Sequence, residues 1–153
     1  MMYAAPEWAN SYIGIPFRVG GRDLNGVDCY GLVRLIYHLE RQIVLPETDT
    51  PYRETGPHVA PMVQRGTLAG PWEVVTDRER VFDVLVINEG GEPCHVGLVL
   101  APGWMLHAAR GQGVGVSPHC SLRYRNRIAY RVRYNAASAA AAGACCANAV
   151  PAG

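Results

Sequence analysis

The stretch GVDCYGLVRLIYHLER, Gly26 to Arg41, decides the fold. Within it Cys29, Leu32, Val33, Ile36 and Leu39 recur at i, i+3, i+4, i+7 and i+10, one apolar stripe of an amphipathic helix, with Arg34, His38 and Arg41 off the stripe. Asp28 stands where an N-cap belongs, and the pattern fades near Gln42. A cysteine therefore opens the helix. There it meets unpaired backbone N–H groups and the positive end of the helix dipole, both of which favour the thiolate, the nucleophilic form. A cysteine on such a stripe is often only a small core residue, so a chemical role requires partners elsewhere in the chain.

Upstream, residues 4–13 read as a short first helix and GIPFRVGGRDLNGVD as a Gly-rich loop. That loop lacks the preceding strand and the Lys-Ser/Thr of a phosphate loop, so its glycines are read as letting the backbone approach the cysteine. Downstream, the proline-rich residues 45–61 read as an ordered surface loop, with a short helix over 59–68. After Pro71, strand patterns follow at 81–88, 94–101, 104–110, 114–117 and 128–134, separated by turn signals such as EGGEP and PG. Helix first and about five antiparallel strands afterwards make an α+β domain over residues 1–134. Residues 135–153, NAASAAAAGACCANAVPAG, are small and uncharged, and read as an Ala-rich disordered tail.

The strands supply the partners. If residues 94–100 pair with 104–109 around Ala101-Pro102-Gly103, with Gly103 left-handed, then Gly97 faces His107 and His95 faces Ala109. His95 and His107 then share a face as diagonal neighbours, and the bare Gly97 leaves room for a helix end. A thiol nucleophile needs a base for its proton and a second polar group to orient that base. The spacing fits Cys29 as nucleophile, His95 as general base and acid, and His107 as the orienting residue; it fits equally a pair of half-buried strand histidines satisfied within the sheet.

The bulk properties exclude other classes. With 153 residues and 49% hydrophobic content the chain has enough material for one cored domain. A net charge of +1 gives no field that would recruit nucleic acid or an anionic membrane. No apolar run of membrane-spanning length and no basic start followed by an apolar stretch is present, so the expectation is cytoplasmic synthesis without a signal peptide. Five cysteines without a CxxC pair argue against a disulfide scaffold and a structural zinc site. His119 with Cys120, and Cys94 with His95, are adjacent pairs that point apart, so no metal is expected. RYRNRIAYRVRY reads as a strand with Arg131 and Arg133 on a solvated face and Tyr130, Val132 and Tyr134 on a packed one.

GIPFRVGGRDLNGVDCYGLVRLIY, then HVGLVL, then MLHA, in that order, resemble the NlpC-type cell-wall peptidases, a papain-like group, over Trp8 to Tyr134. The resemblance implies a papain-like (NlpC-type) fold and a cofactor-free endopeptidase that cuts bacterial peptidoglycan stem peptides next to a D-glutamyl or diaminopimelate residue. Cys29 matches the family nucleophile, His95 the base and His107 the third polar residue. Asp28, Tyr30 and Phe17, around the nucleophile, are taken as substrate-binding. The DCYGLV form looks most like versions from phage tail modules and gene-transfer particles, which implies other tail or particle proteins as partners and a particle tail acting at the cell wall as the location. Many relatives carry tyrosine where this chain has Phe17. Without that hydroxyl, oxyanion stabilisation rests on backbone N–H groups such as that of Cys29, and losing one such donor can cost about 10²-fold in rate. The rival expectation is a structural tail-tip subunit that keeps the fold with little or no catalysis. A thiol acyltransferase or amidase would share the nucleophile and differ in acceptor.

Overall fold

Helix α1 (Cys29–Arg41) starts where the sequence places its cap: the Asp28 carboxylate accepts the Gly31 N–H at 2.6 Å. It stops at Gln42, whose left-handed backbone (φ 57°) returns its N–H to the His38 carbonyl. The computed structural model describes residues 4–46 and 71–137. The loop expected at 45–61 falls mostly outside the described residues, as do the helix expected at 59–68 and most of the Ala-rich tail. Among the described residues no helix is long and apolar enough to cross a membrane.

The loop before α1 is tied to its first turn. β1 (Arg22–Asp23) and β2 (Gly26–Val27) form a two-residue hairpin, and the Gly20 N–H and the Arg22 guanidinium both reach the Asp28 carboxylate, at 3.1 and 2.8 Å. A Cβ on Gly31 would collide with the Gly21 carbonyl oxygen, and one on Gly21 with the Gly26 carbonyl oxygen. The loop glycines therefore do permit the close approach expected of them. The helix expected at 4–13 is a single 3₁₀ turn, Glu7–Ser11: Pro6 precedes it and Gly14, left-handed at φ 92°, ends the turn that follows. Its Tyr12 hydroxyl donates to Glu40 at 2.6 Å, and Trp8 stacks on Phe82 with centroids 5.1 Å apart.

The main sheet of the described residues contains six antiparallel strands in the order β3-β8-β4-β5-β6-β7: β3 (Trp72–Val74), β4 (Val84–Glu89), β5 (Glu92–Ala101), β6 (Trp104–Ala109), β7 (Gly113–Pro118) and β8 (Ile128–Tyr134). The short edge strand β3 carries too few residues to signal itself in sequence. The strand expected to begin at Val81 begins at Val84, because Phe82 takes a left-handed conformation (φ 75°), held by the Tyr37 hydroxyl on its carbonyl at 2.5 Å.

Side-chain alternation divides the sheet into two faces. Leu32, Val33 and Ile36 of α1 pack on one, against Val84, Val86, Val96, Leu98, Leu106, Ala108 and Val132. Leu39, assigned to the same stripe, is 48% exposed. Around the helix it lies only about 20° from the buried Leu32, but it sits in the last turn, two residues before α1 ends at Arg41. The opposite face holds a smaller cluster of Leu85, Ile87, Val99, Met105 and Tyr124. Arg131 and Arg133 lie on this second side, and the expected solvated face is wrong: their guanidinium groups pair with Asp83, which is 1% exposed, at 2.5 and 2.8 Å, and Arg133 also reaches Asp77. A buried carboxylate that charge-assisted hydrogen bonds satisfy draws both arginines inward.

Gly31→Ala should lower unfolding stability by about 3 kcal/mol in urea titration, because the clash is with backbone and cannot be relieved by a rotamer change. Gly115→Ala, where an added Cβ meets nothing within 4 Å, should shift it by less than about 1 kcal/mol.

Candidate active site

The hairpin of β5 and β6 has the register that the sequence implies, reached by another route. Leu98 faces Leu106 and Val99 faces Met105, but Ala101 faces Trp104, so a two-residue turn at Pro102-Gly103 (Gly103 φ 87°) is compensated by a bulge at Leu100. The compensation keeps His95 and His107 on one face. Their rings meet edge to face, with His95 Nε2 and His107 Nδ1 2.9 Å apart.

The two strands do not stay paired to their ends. The β5–β6 ladder stops at Leu98 and Leu106, while β6 remains paired with β7 as far as Ala109 and Gly113. Past Leu98 the Val96 N–H is free of β6, and it hydrogen-bonds the Cys29 sulfur, as does the Tyr30 N–H of the first helical turn. Helix α1 thus delivers its thiol from one face of the sheet to the backbone of the residue next to His95. Gly97 plays a different part from the one expected: a Cβ there would press on the Met105 sulfur at 2.6 Å, so its space is taken by Met105 and not by the helix end.

Cys29 is 5% exposed, His95 8% and His107 4%. Burial pushes the Cys29 thiol up to about 12, the neighbouring Asp28 charge adds to the rise, and the Val96 and Tyr30 N–H groups oppose it. Burial also pushes His95 and His107 down to about 4, helped in His95 by the Arg123 charge and in His107 by His95 and then Arg123. Desolvation thus favours the neutral form of each of the three groups, and at Cys29 it acts against the helix-end thiolate expected from the dipole.

The residues assigned to substrate binding are held as follows. The Asp28 carboxylate is occupied by Gly20, Gly31 and Arg22 and serves as the helix cap. The Tyr30 hydroxyl donates to the Pro46 carbonyl at 2.8 Å. Phe17 bridges to Val27, two residues before Cys29, and lies under the Arg110 guanidinium at 5.6 Å. Sequence reading passed over three residues nearby. Ser117 Oγ is 2.9 Å from His107 Nε2, the Tyr124 ring meets the His107 ring at 5.6 Å, and Arg123 stacks on Tyr124 at 5.3 Å. Ser117 was within reach of a pairing argument across β6 and β7; Tyr124 and Arg123 sit in a loop with no periodic signal. Among the described residues no cluster of ligands fit for a metal occurs, and His119 pairs with Glu79 at 2.9 Å.

A cysteine-bearing helix set on an antiparallel sheet that presents a histidine pair is a papain-like arrangement. The chain belongs to the NlpC/P60 family, whose sequence profile matches residues 14–133. It is 26% identical over 124 residues to the murein DD-endopeptidase MepS/murein LD-carboxypeptidase of Escherichia coli (strain K12), covering 81% of this chain and 55% of that protein. It is 30% identical over 109 residues to protein P54 of Enterococcus faecium, covering 71% of this chain and 18% of that one. The chain thus spans about half or less of the length of these relatives. Among solved structures, the NlpC/p60 domain of the peptidoglycan hydrolase SagA superposes with a TM-score of 0.56 at 25% identity over 82% of this chain and 92% of that one. The peptidoglycan hydrolase RipB of Mycobacterium tuberculosis has the same fold, with a TM-score of 0.55 at 24% identity over 82% of this chain and 60% of that one.

The two buried imidazoles make stability pH-dependent in a definite direction. Their folded-state values near 4 lie below the ordinary 6.5, so the unfolded chain takes up protons first as pH falls. Their contribution is complete above about pH 6.5 and is lost progressively down to about pH 4. Urea midpoints of the wild type should therefore fall across that window more steeply than those of a His95→Gln/His107→Gln variant; parallel slopes would contradict the assignment.

Proposed function

We propose that the protein is a cysteine endopeptidase of bacterial peptidoglycan, with Cys29 as nucleophile, His95 as general base and acid and His107 as the residue that orients it. The observation that carries this reading is the joint placement of the Cys29 sulfur on the Val96 N–H and of His95, the preceding residue, on His107 at 2.9 Å. His107 engages Nε2 of His95, which leaves Nδ1 as the nitrogen to exchange a proton with the thiol.

In the proposed reaction His95 Nδ1 takes the thiol proton as the sulfur attacks the scissile carbonyl carbon. The carbonyl oxygen becomes an oxyanion, stabilised by backbone N–H groups at the helix end, including that of Cys29. Collapse breaks the C–N bond, and the amine leaves with the proton from His95. A water molecule then gives its proton to His95 and adds to the thioester, which releases the acid and restores the thiol. Because thiol and imidazole start neutral, proton transfer accompanies attack.

The names of the relatives support peptidoglycan as the substrate class, since MepS is a murein endopeptidase and SagA a peptidoglycan hydrolase. The bond next to D-glutamyl or diaminopimelate, and service in a phage tail or gene-transfer particle that opens the wall from outside, rest on the DCYGLV resemblance. A structural tail-tip role is the second reading, favoured by the burial of Cys29 and by phenylalanine at position 17.

Incubation with purified diaminopimelate-type peptidoglycan, followed by mass spectrometry of the muropeptides, separates the two. Cleaved stem peptides are expected from the wild type and at least about 10³-fold fewer from Cys29→Ala, since a lost nucleophile removes the covalent route. Intact stem peptides after wild-type treatment would favour the structural subunit.

A further inference from the structure

The hydrogen-bond chain that begins at His95 does not end at His107. β6 and β7 pair in a register that sets His107 opposite Gly115 and Met105 opposite Ser117, so Ser117 lies diagonal to His107 on the same face. The Ser117 hydroxyl is 2.9 Å from His107 Nε2. Directly across from the imidazole, Gly115 offers no side chain to intervene, and the Tyr124 ring, at 82° to the imidazole plane, fixes the ring's tilt.

We propose that Ser117 is a positioning residue of the site, acting on His95 through His107 by holding His107 in its Nε2–H tautomer. The inference rests on the peptidase reading above for its consequence in rate, but its structural content stands apart from it. A neutral imidazole has one N–H and one lone pair, so the line His95–His107–Ser117 has only two self-consistent directions. In one, His95 Nε2–H donates to His107 Nδ1 and His107 Nε2–H donates to the Ser117 oxygen, and His95 Nδ1 keeps the lone pair needed to take the thiol proton. In the other, the Ser117 hydroxyl donates to His107 Nε2, His107 Nδ1–H donates to His95 Nε2, and His95 Nδ1 carries a proton and is no base.

Proton uptake at His95 Nδ1 strengthens its Nε2–H as a donor, so the first direction is also the one that stabilises the imidazolium formed during attack. It requires an acceptor for the His107 Nε2–H in a site where that ring is 4% exposed. Ser117 supplies it. Removing the hydroxyl orphans a donor in the productive tautomer.

The test uses the full chain labelled with ¹⁵N-histidine, comparing wild type, Ser117→Ala and Ser117→Thr. Long-range ¹H–¹⁵N spectra near pH 7 should show His107 protonated at Nε2 in the wild type, shifted toward the Nδ1–H form in Ser117→Ala, and restored in Ser117→Thr, which keeps the hydroxyl. With peptidoglycan fragments as substrate, kcat should drop about tenfold in Ser117→Ala, the scale of one lost hydrogen bond, with KM unchanged, and recover in Ser117→Thr. A wild-type His107 protonated at Nδ1, or a tautomer unchanged by Ser117→Ala, would overturn the proposal. If the wild type shows no Cys29-dependent hydrolysis, the peptidase reading fails while the spectra still decide the role of Ser117.

Discussion

The site depends on one gap in a β-ladder. β5 and β6 pair through Leu98 and Leu106 and then part, and the Val96 N–H that the ladder gives up is taken by the Cys29 sulfur. Because a buried N–H without a partner is costly, opening the strands and inserting the thiol are a single arrangement. The rest of the N-terminal half serves that insertion. Asp28 caps the helix, Arg22 and Gly20 hold Asp28, and the absence of side chains at Gly21 and Gly31 lets the loop close on the first helical turn.

The same insertion settles which of two opposing effects wins at the sulfur. A helix N-terminus favours an anion by roughly 0.3–1 kcal/mol in exposed settings. A rise of the thiol from 9.0 to about 12 corresponds to about 4 kcal/mol against the thiolate, on the order of several times larger. Desolvation wins, and the imidazoles move in the complementary direction for the same reason. Under the proposed reaction, the thiol and the imidazoles then start neutral, and charge develops only as a bound carbonyl is attacked.

Local rules carried most of what the sequence disclosed. Helix α1 was legible from its 3.6-residue periodicity, its start from Asp28, and the histidine pair from the period-2 alternation of a hairpin. That last inference survived a wrong detail, since the bulge at Leu100 and the two-residue turn offset one another and left the register unchanged. Long-range choices were not legible. Nothing local tells that β8 inserts between β3 and β4, that the buried Asp83 gathers Arg131 and Arg133, or that Met105 fills the space at Gly97. Ser117 lay between these cases: its strand was readable, but its register against β6 depends on a turn at Gly111–Gly113 whose geometry the residues alone left open.

The central claim is that Cys29 rests as a neutral thiol and loses its proton only as it attacks. Ultraviolet thiolate absorbance of the native protein, read as a difference against Cys29→Ser so that the other cysteines cancel, tests it directly. The account predicts no Cys29-dependent step below about pH 9, above the ordinary range for a free thiol. A step with its midpoint below about pH 7 would show a preformed thiolate–imidazolium pair and contradict the account.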